Sequence, residues 1–218
     1  MTLQDSHVSF EKQLNIAQDA AAKGDFKRAF NLFLALQKLA PKRGDVCFYF
    51  GSALLSVEEF DSAITQLSNA CQLLPTQHEP LFKLADAFEM VNSVRDVETV
   101  INFALTQFPK NAVVIYRAAN FYREVGQLIK ADELASECIN YSDDNLLRSY
   151  AWLLKLNLGQ MQDITLAHDA LSAINNIIPN IDDLSDNLSP NEPNSDKVDN
   201  NSASDNKLQM IVNYALGR

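Results

Sequence analysis

The chain is short of the residues that most catalytic and metal-binding designs need. Its 218 residues hold three Cys, three His, six Gly, seven Pro and one Trp. Three cysteines make an odd set without paired short spacing, so neither a disulfide framework nor a zinc site is expected. None of the six glycines falls in a phosphate-cradling spacing. His7, His78 and His168 lie far apart, and His78-Glu79-Pro80 starts like a zinc-protease motif but lacks its second His. Basic charge is also scarce, with 18 Lys and Arg against 28 Asp and Glu, a net charge of -10. A polyanion is a poor partner for nucleic acid or anionic membrane. No apolar run reaches the roughly 18 residues of a membrane span. The first residues lack a basic region and apolar stretch, so no export signal is read and a cytoplasmic location is expected. No cofactor and no catalytic group is expected; Glu58/Glu59 and Asp143/Asp144 read as solvated turn charges or helix caps.

What is present is a period. Pro41, Pro75 and Pro109 stand 34 residues apart, after Leu39-Ala40, Leu73-Leu74 and Gln107-Phe108. Ala29 and Ala63 precede the first two prolines by 12 residues; Val97 and Ala131 continue the frame, and Asp143 stands where a fourth Pro would fall. Numbering units from residue 10, positions 7 and 8 read Ile16-Ala17, Phe50-Gly51, Leu84-Ala85 and Ala118-Ala119. Position 11 reads Ala20, Leu54, Phe88 and Tyr122. Turns are expected at Lys23-Gly24-Asp25-Phe26, Val57-Glu58-Glu59-Phe60 and Val125-Gly126-Gln127-Leu128, with Gly24 and Gly126 at helix ends that favour a left-handed residue.

This frame resembles the tetratricopeptide repeat (TPR), a pair of antiparallel helices in 34 residues. The Trp of that family is absent from all four units (Gln13, Cys47, Leu81, Ile115), so the repeats are degenerate. The resemblance implies an all-α fold, a right-handed α-solenoid of about five repeats over residues 1–179. Its units run 10–43, 44–77, 78–111, 112–145 and 146–179, the fifth with two extra residues in its turn. Trp152-Leu153 take positions 7 and 8 there, and a second helix spans 165–178. Independently of the family, Ile115, Ala118, Ala119 and Tyr122 fall at helical spacing and predict a buried stripe within 113–124. Cys47, Cys71 and Cys138 are expected to be mostly core-facing thiols.

Residues 180–207 hold seven acidic and two basic residues, Pro190 and Pro193, and no aromatic. That composition predicts a disordered acidic linker. Leu208, Ile211, Val212, Ala215 and Leu216 restore a helical apolar pattern, so 208–218 is expected to be a short amphipathic helix. It would cap the last repeat or fold back to a binding surface.

In the resembled family, positions 2, 5, 9 and 12 of the first helices line a concave groove. Position 5 reads Leu14, Phe48, Phe82, Tyr116 and Tyr150; position 9 reads Gln18, Ser52, Asp86, Asn120 and Leu154. Position 2 reads Glu11, Asp45, Glu79, Val113 and Leu147, and position 12 adds Glu89 and Arg123. The candidate groove is therefore Phe48, Ser52, Phe82, Asp86, Glu89, Tyr116, Asn120, Arg123 and Tyr150. The position-5 aromatics serve either packing alone or packing with ligand contact. Lys83 and Arg117 are too isolated, and Glu79 too acidic, for the basic clamp with which some TPR co-chaperones hold acidic tails.

The expected function is a non-catalytic module binding a peptide or helical segment of a protein partner, an adaptor or chaperone-like scaffold. A neutral-to-basic segment with apolar residues suits a groove acidic in its first half and aromatic in its second. The alternatives are a TPR region accompanying a catalytic domain such as a sulfotransferase or hydroxylase, a bacterial secretion-type chaperone, and a homo-oligomeric self-assembler.

Overall fold

The computed structural model describes residues 3–158, with side chains from residue 9 onward. The expected linker 180–207, the helix 208–218 and the second helix of the fifth unit lie outside the described residues. Those described form helices without strands. They are α1 (Leu3–Ala22), α2 (Phe26–Leu39), α3 (Gly44–Leu55), α4 (Phe60–Leu73), α5 (Glu79–Met90), α6 (Val94–Gln107), α7 (Ala112–Glu124), α8 (Leu128–Tyr141) and α9 (Asn145–Asn157). The chain divides into two compact units, residues 1–109 and 110–218. The described helices of the first are α1–α6, and those of the second α7–α9.

Within each unit, every helix packs on the next, and successive first helices also touch: α1 on α3, α3 on α5, and α7 on α9. The reason is volume. Ala17, Ala85 and Ala119 at position 8 are fully buried, as are Ala29, Ala63 and Ala131 at position 20. Small side chains at both positions let the helices of a hairpin cross closely. Gly51 marks one close crossing, where an added Cβ would stand 2.7 Å from Leu67 Cγ on α4. Larger residues fill the remaining space: Phe33, Leu67 and Ile101, one turn beyond position 20, are all buried, and Phe33 stacks on Phe50 at 5.5 Å. In the second unit the expected stripe of Ile115, Ala118, Ala119 and Tyr122 is fully buried.

The turns inside the hairpins share one backbone design. Gly24, Glu58, Asn92 and Gly126, each 34 residues after the last, all adopt positive φ (79°, 63°, 56° and 79°). The following N–H donates back to the preceding helix in every case: Asp25 to Ala20, Glu59 to Leu54, Ser93 to Phe88 and Gln127 to Tyr122, at 2.8–3.1 Å. This is the Schellman closure, in which a left-handed residue turns the chain and satisfies orphan carbonyls. Three helices, α2, α7 and α9, start on capping side chains. Asp25 Oδ1 accepts from Arg28 N–H, Asn111 Oδ1 from the N–H groups of Val113 and Val114, and Asp144 Oδ1 from Leu146 N–H.

The ninth helix departs from its expected phase. Trp152 and Leu153 are only half-buried, while Ser149, Ala151 and Leu154 are buried.

Candidate functional site

The expected groove residues divide between the two units: Phe48, Ser52, Phe82, Asp86 and Glu89 in the first, Tyr116, Asn120, Arg123 and Tyr150 in the second. In the first unit Leu14 at position 5 is buried at 3% exposure and offers no surface. Phe48 and Phe82 are half-buried on α3 and α5. Phe48 meets Tyr49 edge-on at 5.3 Å, and Phe82 meets His78 edge-on at 5.1 Å. His78 also lies 5.9 Å from Phe108 at the end of α6, so the rings join the start of α5 to the end of its hairpin. Position 5 thus mixes packing with exposed aromatic edge.

The polar residues beside these rings are already engaged. Ser52 Oγ donates to Phe48 O at 2.8 Å, one turn back along its own helix. Asp86 takes an ion pair from Lys83 at 3.1 Å. Glu11 and Asp45, both at position 2, are held by one cation. Arg43 donates Nη1 to Glu11 Oε1 at 2.8 Å, Nε to Asp45 Oδ1 at 2.9 Å, and a second fork bond from Nη2 to Asp45 Oδ2. Its guanidinium also lies 4.7 Å over the Phe10 ring. The hydrogen bonds from Arg43 hold the Asp45 carboxyl below its ordinary range, and those to Asp45 and Glu11 hold the guanidinium above its own. The acidity that position 2 suggests is therefore offset locally in the first two repeats. Sequence reading missed Arg43; a cation at position 34, ahead of an acid at position 2, was the available signal.

In the second unit Tyr116 and Tyr150 come together, ring centroids 6.3 Å apart, with Tyr150 47% exposed. Val113 and Leu146, at the starts of α7 and α9, are exposed as well. Asn120 Nδ2 donates to Tyr116 O at 3.1 Å, the same backward bond that Ser52 makes. Arg123 pairs with Glu124 at 3.5 Å. Behind this face Lys155 is nearly buried, bonded to Asp132 at 2.7 Å and Ser136 at 2.6 Å, and ties α9 to α8.

Two recesses open in the first unit. One of about 400 Å³ lies between α2, α3 and α4, where Gln37 donates to Gln66 Oε1 across the two second helices, with Cys47 and Asn69 beside them. The other, about 240 Å³, lies between α1, α2 and α3, and Ser52 is the expected groove residue that lines it. Cys47 and Cys138 are buried and Cys71 half-buried; burial raises the thiols of Cys71 and Cys138 to about 11. Among the described residues no group of His, Cys, Asp and Glu is arranged to hold a metal ion, and no helix is long and apolar enough to cross a membrane.

No family model matches the chain, and no curated protein matches it in sequence. Solved structures do match it in fold. A MamA protein is 17% identical, with 84% of this chain and 98% of that one covered at a TM-score of 0.57. TTC0263, a TPR protein of Thermus thermophilus, is 16% identical over 76% and 98% of the two chains, at 0.52. YrrB, described as a TPR protein with an unusual peptide-binding site, is 12% identical over 78% and 86%, at 0.55. The architecture built from the 34-residue frame is thus that of TPR proteins.

Proposed function

We propose that the chain is a non-catalytic protein-interaction module whose first helices bind an extended or helical segment of a partner protein. The pairing of Tyr116 with the half-exposed Tyr150 carries this reading. Aromatic side chains that keep one face in water, beside amide and guanidinium groups, are the composition from which binding hot spots are built. In the second unit Asn120 and Arg123, on α7, accompany the tyrosines; in the first, Phe48, Ser52, Phe82, Asp86 and Glu89 on α3 and α5 form a surface of the same composition. The segment bound is uncharged to weakly basic with apolar anchors. A strongly charged partner gains little where Arg43 already occupies Glu11 and Asp45, and Lys83 already occupies Asp86. The likeness to a protein described as having a peptide-binding site supports the same reading at the level of fold alone.

The test is binding of the full chain to an array of 15-residue peptides, wild type against Phe82→Ala, Tyr150→Ala and Leu34→Ala, with a thermal melt of each. Leu34 is 46% exposed on a second helix and serves as the control. The expected loss is about 2 kcal/mol for the two aromatic variants and none for Leu34→Ala. Peptides that bind Phe82→Ala and Tyr150→Ala as well as wild type would remove the first-helix faces from consideration.

A further inference from the structure

Two small residues, Ala21 and Ala22, line the recess between α1, α2 and α3. Positions 12 and 13 read Ala21-Ala22 in the first repeat, but Leu55-Ser56, Glu89-Met90 and Arg123-Glu124 in the next three. With alanines there, the space above the buried ring of Phe33 stays unfilled, walled by Tyr49 and Ala53 and rimmed by Ser52. Its volume, about 240 Å³, falls below the roughly 300–1,000 Å³ of sites that enclose a whole small ligand. No charged residue lines it, although the chain carries a net charge of -10. A charged group entering it would lose water without gaining an ion partner.

We propose that this recess receives one large, uncharged apolar side chain of the bound segment and so sets that segment's register along the first helices. The proposal rests on the groove reading and adds a specificity determinant that the position-5 aromatics do not supply. Ser52 and the exposed Tyr49 at the rim have polar groups with which to meet the backbone on either side of the anchor. An aromatic or Leu-sized residue fits the volume; an acidic one is rejected by the uncharged lining. The later repeats place Leu55, Glu89 or Arg123 where the first has Ala21.

The experiment uses the full chain and two capped amino acids, N-acetyl-phenylalanine amide and N-acetyl-glutamate amide, titrated while the methyl resonances of Ala21, Ala22 and Ala53 are followed by NMR. The phenylalanine probe is expected to shift these methyls with a Kd on the order of 1 mM, and the glutamate probe at least tenfold more weakly. Ala21→Leu, which installs the residue of the second repeat, is expected to weaken the phenylalanine probe at least tenfold with an unchanged melt. Tyr49→Ala, at an exposed wall, serves as a second variant and is expected to weaken it at least threefold. Equal binding of both probes, or full binding to Ala21→Leu and Tyr49→Ala, overturns the proposal. If the recess ignores the probe while peptide binding still depends on Phe82, this proposal alone fails. If the probe binds but peptides ignore Phe82 and Tyr150, the groove reading fails and the register role with it.

Discussion

Arg43 reaches back 32 residues to Glu11, so that a cation ending one repeat holds an acid on the first helix of that repeat while gripping Asp45 on the next. One side chain thereby links α1 to α3, and its charge decides the electrostatics of that face.

This linkage gives a pH dependence. Asp45 is held below its ordinary range, so its contribution to stability is present above the unfolded carboxylate value near 3.9 and disappears as pH falls through the lower folded value. Acid melts of wild type and Asp45→Asn should converge only once the pH falls below the lowered folded value of Asp45. Near pH 7, Arg43→Ala should cost on the order of 1–2 kcal/mol through the lost ion pairs and ring contact. A wild-type advantage already lost above the ordinary carboxylate value near 3.9 would contradict this.

The left-handed turn at Glu58 carries a torsional cost that Gly24 and Gly126 avoid. Glu58→Gly should raise stability by about 0.5–1 kcal/mol, despite the extra freedom that glycine brings to the unfolded chain. Gly126→Ala should lower it by about 1 kcal/mol, and no neighbour lies within 4 Å to add a clash. Denaturant titrations of the two variants should therefore move in opposite directions.

At Gly51 two effects oppose each other. Alanine gains about 1 kcal/mol of helix propensity over glycine. The new methyl, however, would meet the branch carbon of buried Leu67 at 2.7 Å, and overpacking costs about 1–3 kcal/mol. Gly51→Ala should be net destabilising by roughly 1 kcal/mol. A higher melting temperature would show that α3 and α4 can separate freely.

Cys71 is half-buried, and its thiol is pushed up to about 11. Near pH 8 only about one molecule in a thousand carries the reactive thiolate there. Iodoacetamide labelling of Cys71 in the native protein should be far slower than in the denatured chain and should rise steeply up to about pH 11. Mass spectrometry of timed digests reads both rates.

The fold was legible because helix crossings are limited by volume, and volume is written in residue type. Ala17, Ala29, Ala63, Ala85, Ala119 and Ala131 mark crossings directly, and each is buried. The turn at Asn92 was less legible, since its closure uses backbone bonds that leave no signature in the side chain. Position 5 is half-buried at Phe48 and Phe82 but core at Leu14, because exposure depends on what packs over a helix rather than on phase alone. Arg43 was overlooked because its reach joins residues that the repeat frame treats as separate positions.

Because each helix packs on its immediate successors, the contacts within a unit join residues that are close along the chain. Low contact order of this kind favours rapid folding, since little loop entropy is lost before favourable contacts form. During synthesis α1 and α2 can pair as soon as residue 39 emerges, with Ala17 and Ala29 already present to let them close. Within the first unit each later hairpin can then condense on a finished edge as it emerges.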